Sequence, residues 1–265
     1  MKKNILITGS TDGIGKSAAL RLAKDGHHIY LHGRNESKLN AVISELKSES
    51  GNEHIDGFLA DFSDLAAVKK MAEVVKGSMD QLDVLINNAG VWNSQQRTNE
   101  RGLDMRFVVN YLSPYALTVE LLPLLKKSKS PRIINLSSAA QSSVSLAALK
   151  RELPISTQEA YAQSKLALTM WSFDLAGREK DLTIIAVNPG SLLNTKMVQE
   201  AFGRHFAEVD KGSDILYELA LDEKHSSMTG HYFDNDTGGY GRAHADAYNR
   251  EVVLKLIETT DGLVK

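Results

Sequence analysis

Hydrophobic and polar positions along the chain follow two periods, and these alternate from one end to the other. Short apolar runs with β-branched residues read as strands, and stripes at three- and four-residue spacing read as helices. Residues 5–7 form the first run. Ile14, Ala18 and Leu22 then make a helical stripe that stops at Gly26. Residues 28–32 predict strand two, 36–49 a helix, 55–60 strand three, 64–79 a third helix and 83–86 strand four. Helical periodicity covers 101–127 despite Pro114 and Pro123, and 132–136 predict strand five. Residues 139–157 are a long small-residue and polar connection, after which a helix carries Tyr161. Strand six is expected at 183–187, an irregular or mobile segment at 191–209 and a helix at 211–221. A last short strand is expected at 231–233, with a loop at 238–241 and a C-terminal helix at 246–258.

Repeated alternation of strand and helix predicts an α/β fold, a doubly wound parallel sheet of about seven strands with helices on both faces. Neither repeats nor linkers interrupt it, so 1–265 reads as a single domain. Ligands in such sheets bind at the C-terminal strand ends. The composition narrows the chemistry. A net charge of −2 gives no electrostatic footprint for nucleic acid. The absence of cysteine excludes disulfides, thiolate zinc sites and thiol nucleophiles. Strand-like sequence from Asn4 leaves no room for a leader, and no apolar run approaches a membrane span. The expectation is a soluble cytoplasmic protein.

The candidate chemistry lies at the strand ends. Thr8-Gly9-Ser10-Thr11-Asp12-Gly13-Ile14-Gly15 joins the first strand to a helix. Glycine there allows a tight turn and close approach of a ligand to the backbone, while the helix N-terminus offers N–H groups to a phosphate. Arg34, with Asn35, ends strand two, where a guanidinium suits a ribose 2′-phosphate and a carboxylate would suit the 2′-hydroxyl. His28 and His32 share a strand face without a third ligand, and read as structural. Asp61-Phe62 ends strand three, where Asp61 either accepts from an adenine amino group or, as Ser63 could, caps the next helix. Asn87-Asn88-Ala89-Gly90 ends strand four, Ser137-Ser138 strand five and Asn188-Pro189-Gly190 strand six. Tyr161 and Lys165, four apart, share a helix face. A nearby ammonium favours phenolate and would draw the tyrosine toward a working pKa. With 8 Tyr in the chain, about 0.6 such pairs arise by chance, so the spacing counts only within a built site.

With these motifs in order, the chain resembles the short-chain dehydrogenase/reductase family over nearly its whole length. It looks closest to the retinol-dehydrogenase-like and protochlorophyllide-reductase-like branch, through the wording around Tyr161 and Gly230-His-Tyr-Phe233. The resemblance implies a Rossmann-type fold and a cofactor site drawn from Gly9 to Gly15, Arg34, Asn35, Asp61, Phe62, Asn88, Ala89, Gly90, Pro189, Gly190, Asn194 and Thr195, with Tyr161 and Lys165. It implies a catalytic set of Asn110, Ser138, Tyr161 and Lys165. Tyr161 would exchange the proton on the substrate oxygen and Lys165 would lower the tyrosine pKa and hold the nicotinamide ribose. Ser138, rather than its neighbour Ser137, would bond the substrate oxygen, and Asn110 would hold a water relayed to Lys165.

The sequence departs from the family pattern in three places. Ser138 and Tyr161 are 23 apart, a spacing widened by 139–157; Asn194 occupies the usual threonine position, with Thr195 one residue late; Ser113 replaces a glycine. The expectation is an NADP(H)-preferring carbonyl–alcohol oxidoreductase, homodimeric or homotetrameric, using no metal and acting on an uncharged, partly lipophilic small molecule. Its rivals are an NADP(H)-sensing regulator without turnover and a nucleotide-sugar epimerase or dehydratase. Segment 191–209, with Leu192, Met197, Phe202 and Phe206, is expected to act as a substrate lid hinged at Gly203.

Overall fold

The computed structural model describes residues 1–203 and 207–265. The first half runs β1 (Asn4–Ile7), α1 (Gly13–Lys24), β2 (His28–Gly33), α2 (Glu36–Ser50), β3 (Ile55–Leu59), α3 (Leu65–Ser78) and β4 (Val84–Asn87). Next come α4 (Met105–Phe107), a π-helical turn (Val108–Leu112), α5 (Ser113–Leu125) and β5 (Arg132–Leu136). The second half is α6 (Leu146–Leu149), α7 (Thr157–Arg178), β6 (Thr183–Asn188), α8 (Lys196–Phe202), α9 (Val209–Leu221), β7 (His231–Asp234), β8 (Gly239–Gly241) and α10 (Arg250–Val264).

The strands form one sheet in the order β3-β2-β1-β4-β5-β6-β7-β8, parallel except for the antiparallel β7–β8 pair. The expected loop at 238–241 is therefore an eighth strand. Its glycines gave no hydrophobic signal, and only main-chain pairing to β7 defines it. The expected C-terminal helix begins later and runs further, after a 3₁₀ turn at Ala245–Tyr248. Asp64, not Asp61 or Ser63, caps α3, with its carboxylate accepting from Ala66 N.

Strand periodicity sorts the core into two layers. Ile5, Ile7, Ile86 and Ile185 face α1, α2 and α9, while Leu6, Leu85, Ile133 and Ile184 face α3, α5 and α7. On the second face α10 lies along α7, with the Tyr111 hydroxyl bonded to Thr260 (2.7 Å) and the Tyr115 hydroxyl donating to Asp261 (2.5 Å). Met105–Leu125 is long and apolar enough to cross a membrane, contrary to the expectation that no segment is, but 78% of that window is buried inside the protein. It serves here as the core helix under β4 and β5.

The chain leaves β1 toward β2 and β3, then returns on the other side to β4. The reversal opens a crevice between the C-terminal ends of β1 and β4, where connections leave in opposite directions. Every predicted strand-end motif lies along this edge.

Candidate active site

Two hydrogen-bonded loops build the crevice floor. The Thr8 hydroxyl accepts from Asn88 N and Ala89 N (both 3.0 Å), and Asn88 Nδ2 returns bonds to Thr8 O (2.8 Å) and Gly9 O (2.9 Å). So close an approach leaves no room for side chains. A Cβ on Gly9 would lie 2.7 Å from Ala89 Cα, and one on Gly15 would lie 2.4 Å from Asn88 Nδ2. Gly9 also has φ +64°. Ser10 is buried and bonds Ile7 O and His32 N, so its hydroxyl supports the turn from beneath. Asp12 caps α1 through Gly13 N (2.9 Å) and takes the Lys38 ammonium at 2.7 Å.

His32 is structural, as expected, but its role is specific. Gly9 N donates to its Nδ1 (3.0 Å), so Nε2 carries the hydrogen and donates to Ala60 O (3.0 Å). One imidazole thus joins the glycine turn to β2 and the residue after β3. Burial holds it neutral, with its pKa pushed down to about 4. Phe62 stacks on it at 4.1 Å with its ring buried. Asp61 is exposed and accepts from Ser63 N. Arg34 stands exposed just beyond β2, and Asn35 caps α2 through Lys38 N.

Across the crevice, a capping box of Ser156 and Glu159 starts α7 and sets its phase, so Tyr161 and Lys165 both face the sheet edge. Lys165 is 4% exposed and donates to Leu136 O at 2.7 Å. Burial pushes its pKa down to about 8. The Ser138 hydroxyl accepts from Ala140 N (3.1 Å) and lies beside the Tyr161 phenol. Its buried neighbour Ser137 instead bonds Lys165 O and Thr169. Alternation at the end of β5 therefore turns Ser138 into the site and Ser137 into the core.

One expectation is corrected. The Tyr161 pKa is not drawn down on balance: burial raises it, and the neighbouring Ser138 hydroxyl offsets only part of that. The Lys165 Nζ lies 5.7 Å from the ring centroid and donates to the Leu136 carbonyl, and its charge does not outweigh the burial.

Asn110 sits in the π-helical turn, a local widening often found at functional sites. Its side chain bonds Val91 N (2.7 Å), Val91 O (3.1 Å) and Ser164 Oγ (3.0 Å), which ties the loop after β4 to α7. It makes no direct bond to Lys165. Around Gly90 the Asn110 Oδ1, Lys165 Nζ and Met197 Cε converge, at 3.4, 3.6 and 3.7 Å from where a Cβ would stand. This cradle, which a side chain on Gly90 would enter, fits the edge of a flat ligand, whereas the close contacts at Gly9 and Gly15 hold the two loops against each other.

Beyond β6, Thr195 caps α8 and its methyl lies 3.5 Å from where a Gly13 Cβ would stand, so α8 starts beside the glycine turn. Asn194 accepts from Gln199 and donates to Glu208. The expected irregular segment thus contains a short helix. Phe206, with Arg204 and His205, lies outside the described residues. In 139–157, Ser145 caps α6 and its N–H donates to Gln163 on α7, while Arg97 and Arg151 bond the carbonyls of Ile155 and Arg101.

Sequence reasoning missed Trp92, whose ring lies 4.6 Å from that of Tyr161. An aromatic two residues past Gly90 was the available signal. It also missed Ser164, which links Asn110 to Tyr161 O. No group of three or more His, Cys, Asp and Glu side chains converges among the described residues.

The comparisons agree with this architecture. The sequence profile described as short chain dehydrogenase matches residues 3–204. Human retinol dehydrogenase 13 is 32% identical over 99% of this chain and 84% of its own length. Human polyprenol dehydrogenase is 32% identical over 87% of this chain and 76% of its own. A solved short chain dehydrogenase from Escherichia coli CFT073, complexed with NADPH, is 27% identical, with TM-score 0.73 over 88% of this chain and 96% of its own. The chain belongs to the short-chain dehydrogenase family, and is an oxidoreductase of that class.

Proposed function

We propose that this protein interconverts a carbonyl and an alcohol using NADP(H) in preference to NAD(H), with Tyr161 as general acid and base. The observation that carries the reading is the half-buried Tyr161 and the buried Lys165 on one face of α7, with the Ser138 hydroxyl beside the phenol at the C-terminal sheet edge. A sensor without turnover has no use for this set. The turn from Gly9 to Gly15 and the cradle at Asn88, Ala89 and Gly90 would hold the dinucleotide, with Pro189, Gly190 and Thr195 bordering its nicotinamide end. When bound, the nicotinamide supplies or accepts the hydride.

The chain's own groups handle the proton. A phenol whose pKa is raised stays protonated at neutral pH, so Tyr161 is ready to give its proton to a carbonyl oxygen. Ser138 bonds the same oxygen and steadies the charge that develops there. Lys165, protonated below about pH 8, stabilises the phenolate left behind. The π-helical turn holds Asn110 between Val91 and Ser164, which fixes the wall beside Lys165.

Arg34 would select the 2′-phosphate by a charge-assisted bond. The names of the relatives, a retinol and a polyprenol dehydrogenase, support an uncharged, partly lipophilic substrate. We also read the protein as one domain, cytoplasmic, and homodimeric or homotetrameric; cell fractionation and sedimentation test these points.

The deciding experiment is a screen for NADPH consumption across aldehydes, ketones and quinones, with Tyr161→Phe as control. The variant should bind NADPH normally while turnover falls roughly 10²-fold or more. Near-normal turnover would remove Tyr161 from its role. Arg34→Ala should weaken NADPH roughly tenfold or more and NADH little, and equal losses would refute phosphate recognition.

A further inference from the structure

Beyond β7, the hairpin tip at residues 235–238 reaches across the C-terminal sheet edge to the turn that follows β6. Asn235 donates its main-chain N–H to Asn188 O (3.1 Å) and its Nδ2 to Pro189 O and Lys211 O (both 2.9 Å). Asp236 accepts from Ser191 N (2.9 Å), Ser191 Oγ (2.5 Å) and Asn188 Nδ2 (2.9 Å), with the Lys211 ammonium 3.5 Å away. Asn188 also donates to Asp234 (2.8 Å) and accepts from Gly190 N (3.3 Å). Residues 188–191 are all held in this way. Burial pushes the Asp236 pKa up, but the bonds from Ser191 and Asn188 outweigh it and keep the carboxylate charged.

The next residue shows what the clamp resists. Leu192 has φ +52°, in the left-handed region that costs a side-chain-bearing residue free energy. Such a conformation persists only where both flanks are fixed. Leu193, 2% exposed and packed toward Gly190 and Gly212, fixes one flank; the Asp236–Ser191 bonds fix the other. From Leu192 the chain turns into Asn194, Thr195 and α8, back toward the glycine turn and Gly90.

We propose that Asp236 is a positioning residue for cofactor binding. Its carboxylate, acting through the Ser191 N–H and hydroxyl, sets the course of 189–195 along the nicotinamide end of the crevice. The inference rests on the reading of Pro189 and Gly190 as the nicotinamide border. The competing role is a plain staple that keeps the sheet edge folded, and the two differ in which half of the dinucleotide feels its loss.

Titration of the full chain with NADPH and with 2′,5′-ADP, which has the adenosine half and no nicotinamide, separates them. Asp236→Ala should weaken NADPH about tenfold and leave 2′,5′-ADP within about twofold. Asp236→Asn, which keeps an acceptor oxygen for Ser191, should restore most of the NADPH affinity. Unchanged NADPH binding in Asp236→Ala, or equal weakening of both ligands, overturns the proposal. Should Asp236→Ala fail to fold, Ser191→Ala carries the same two-ligand comparison, since it deletes only the hydroxyl contact. A wild-type chain that binds neither ligand overturns the cofactor reading itself, an outcome distinct from a variant that behaves like wild type.

Discussion

Lys165 is the residue whose chemistry burial changes most usefully. An ammonium ordinarily persists well above neutral pH, but here desolvation brings its pKa to about 8. Reduction needs that charge to stabilise the phenolate. Activity in the reductive direction should therefore hold below pH 8 and decline as pH rises through about 8. Lys165→Arg, charged throughout, should lose that alkaline limb even if its overall rate is lower. A pH–kcat profile that is flat across pH 7 to 9 in wild type would contradict the assignment. His32 makes a second pH prediction, this one on stability. Its folded pKa of about 4 lies below the ordinary 6.5, so the unfolded chain binds more protons in between. Its contribution is fully present above pH 6.5 and is lost as pH falls toward 4, amounting to roughly 3 kcal/mol across that window. Urea unfolding at pH 7.5 and 4.5 should show this loss in wild type and a smaller one in His32→Gln.

At the scale of elements, α8 is the piece whose placement matters for function. It begins at a capped Thr195 beside Gly13 and ends at Gly203 in the left-handed conformation, which suits glycine as a stop or a hinge. Met197 reaches the cradle around Gly90, Asn110 and Lys165. A segment touching both ends of the crevice is expected to close over bound cofactor and exclude water from the reacting atoms. Amide hydrogen exchange over 191–203 should slow when NADPH is added. Equal exchange with and without NADPH would return α8 to a purely structural role. The π-helical turn before α5 has a comparable local logic: it puts Asn110 where Val91 and Ser164 can both be bonded.

At the scale of the whole molecule, one edge of the sheet carries the chemistry while two packed faces carry the stability. Trp171 is fully buried on the face covered by α5, α7 and α10, beside Tyr115 at 5.1 Å. Trp171→Ala should cost about 3–5 kcal/mol, the usual loss for emptying an aromatic core position. The other tryptophan, Trp92, lies against Tyr161. Ligand-induced fluorescence change should therefore survive in a folded Trp171→Phe variant and vanish in Trp92→Phe. A signal that follows Trp171 instead would place the ligand elsewhere. Helix α10 belongs to this scale too, since its Thr260 and Asp261 satisfy tyrosine hydroxyls that α5 and its π turn would otherwise bury.

The sequence by itself determined the alternation of elements, because β-branched runs and helical stripes are local patterns that need no partner to be read. The glycine turn, the Asn88 to Gly90 loop and the Tyr161–Lys165 spacing were legible there too, since each hangs on a strand end or on one helix face; the preference for Ser138 over Ser137 came from the family resemblance. Tertiary structure alone decided the rest. The strand Gly239–Gly241 has almost no side-chain signal and exists through pairing with β7. The Asp236 clamp joins residues 45 apart, and His32 joins loops from three strands. The tyrosine's pKa went up rather than down because a sequence gives spacing but not solvent, and the water excluded around Tyr161 and Lys165 outweighs their proximity along the helix.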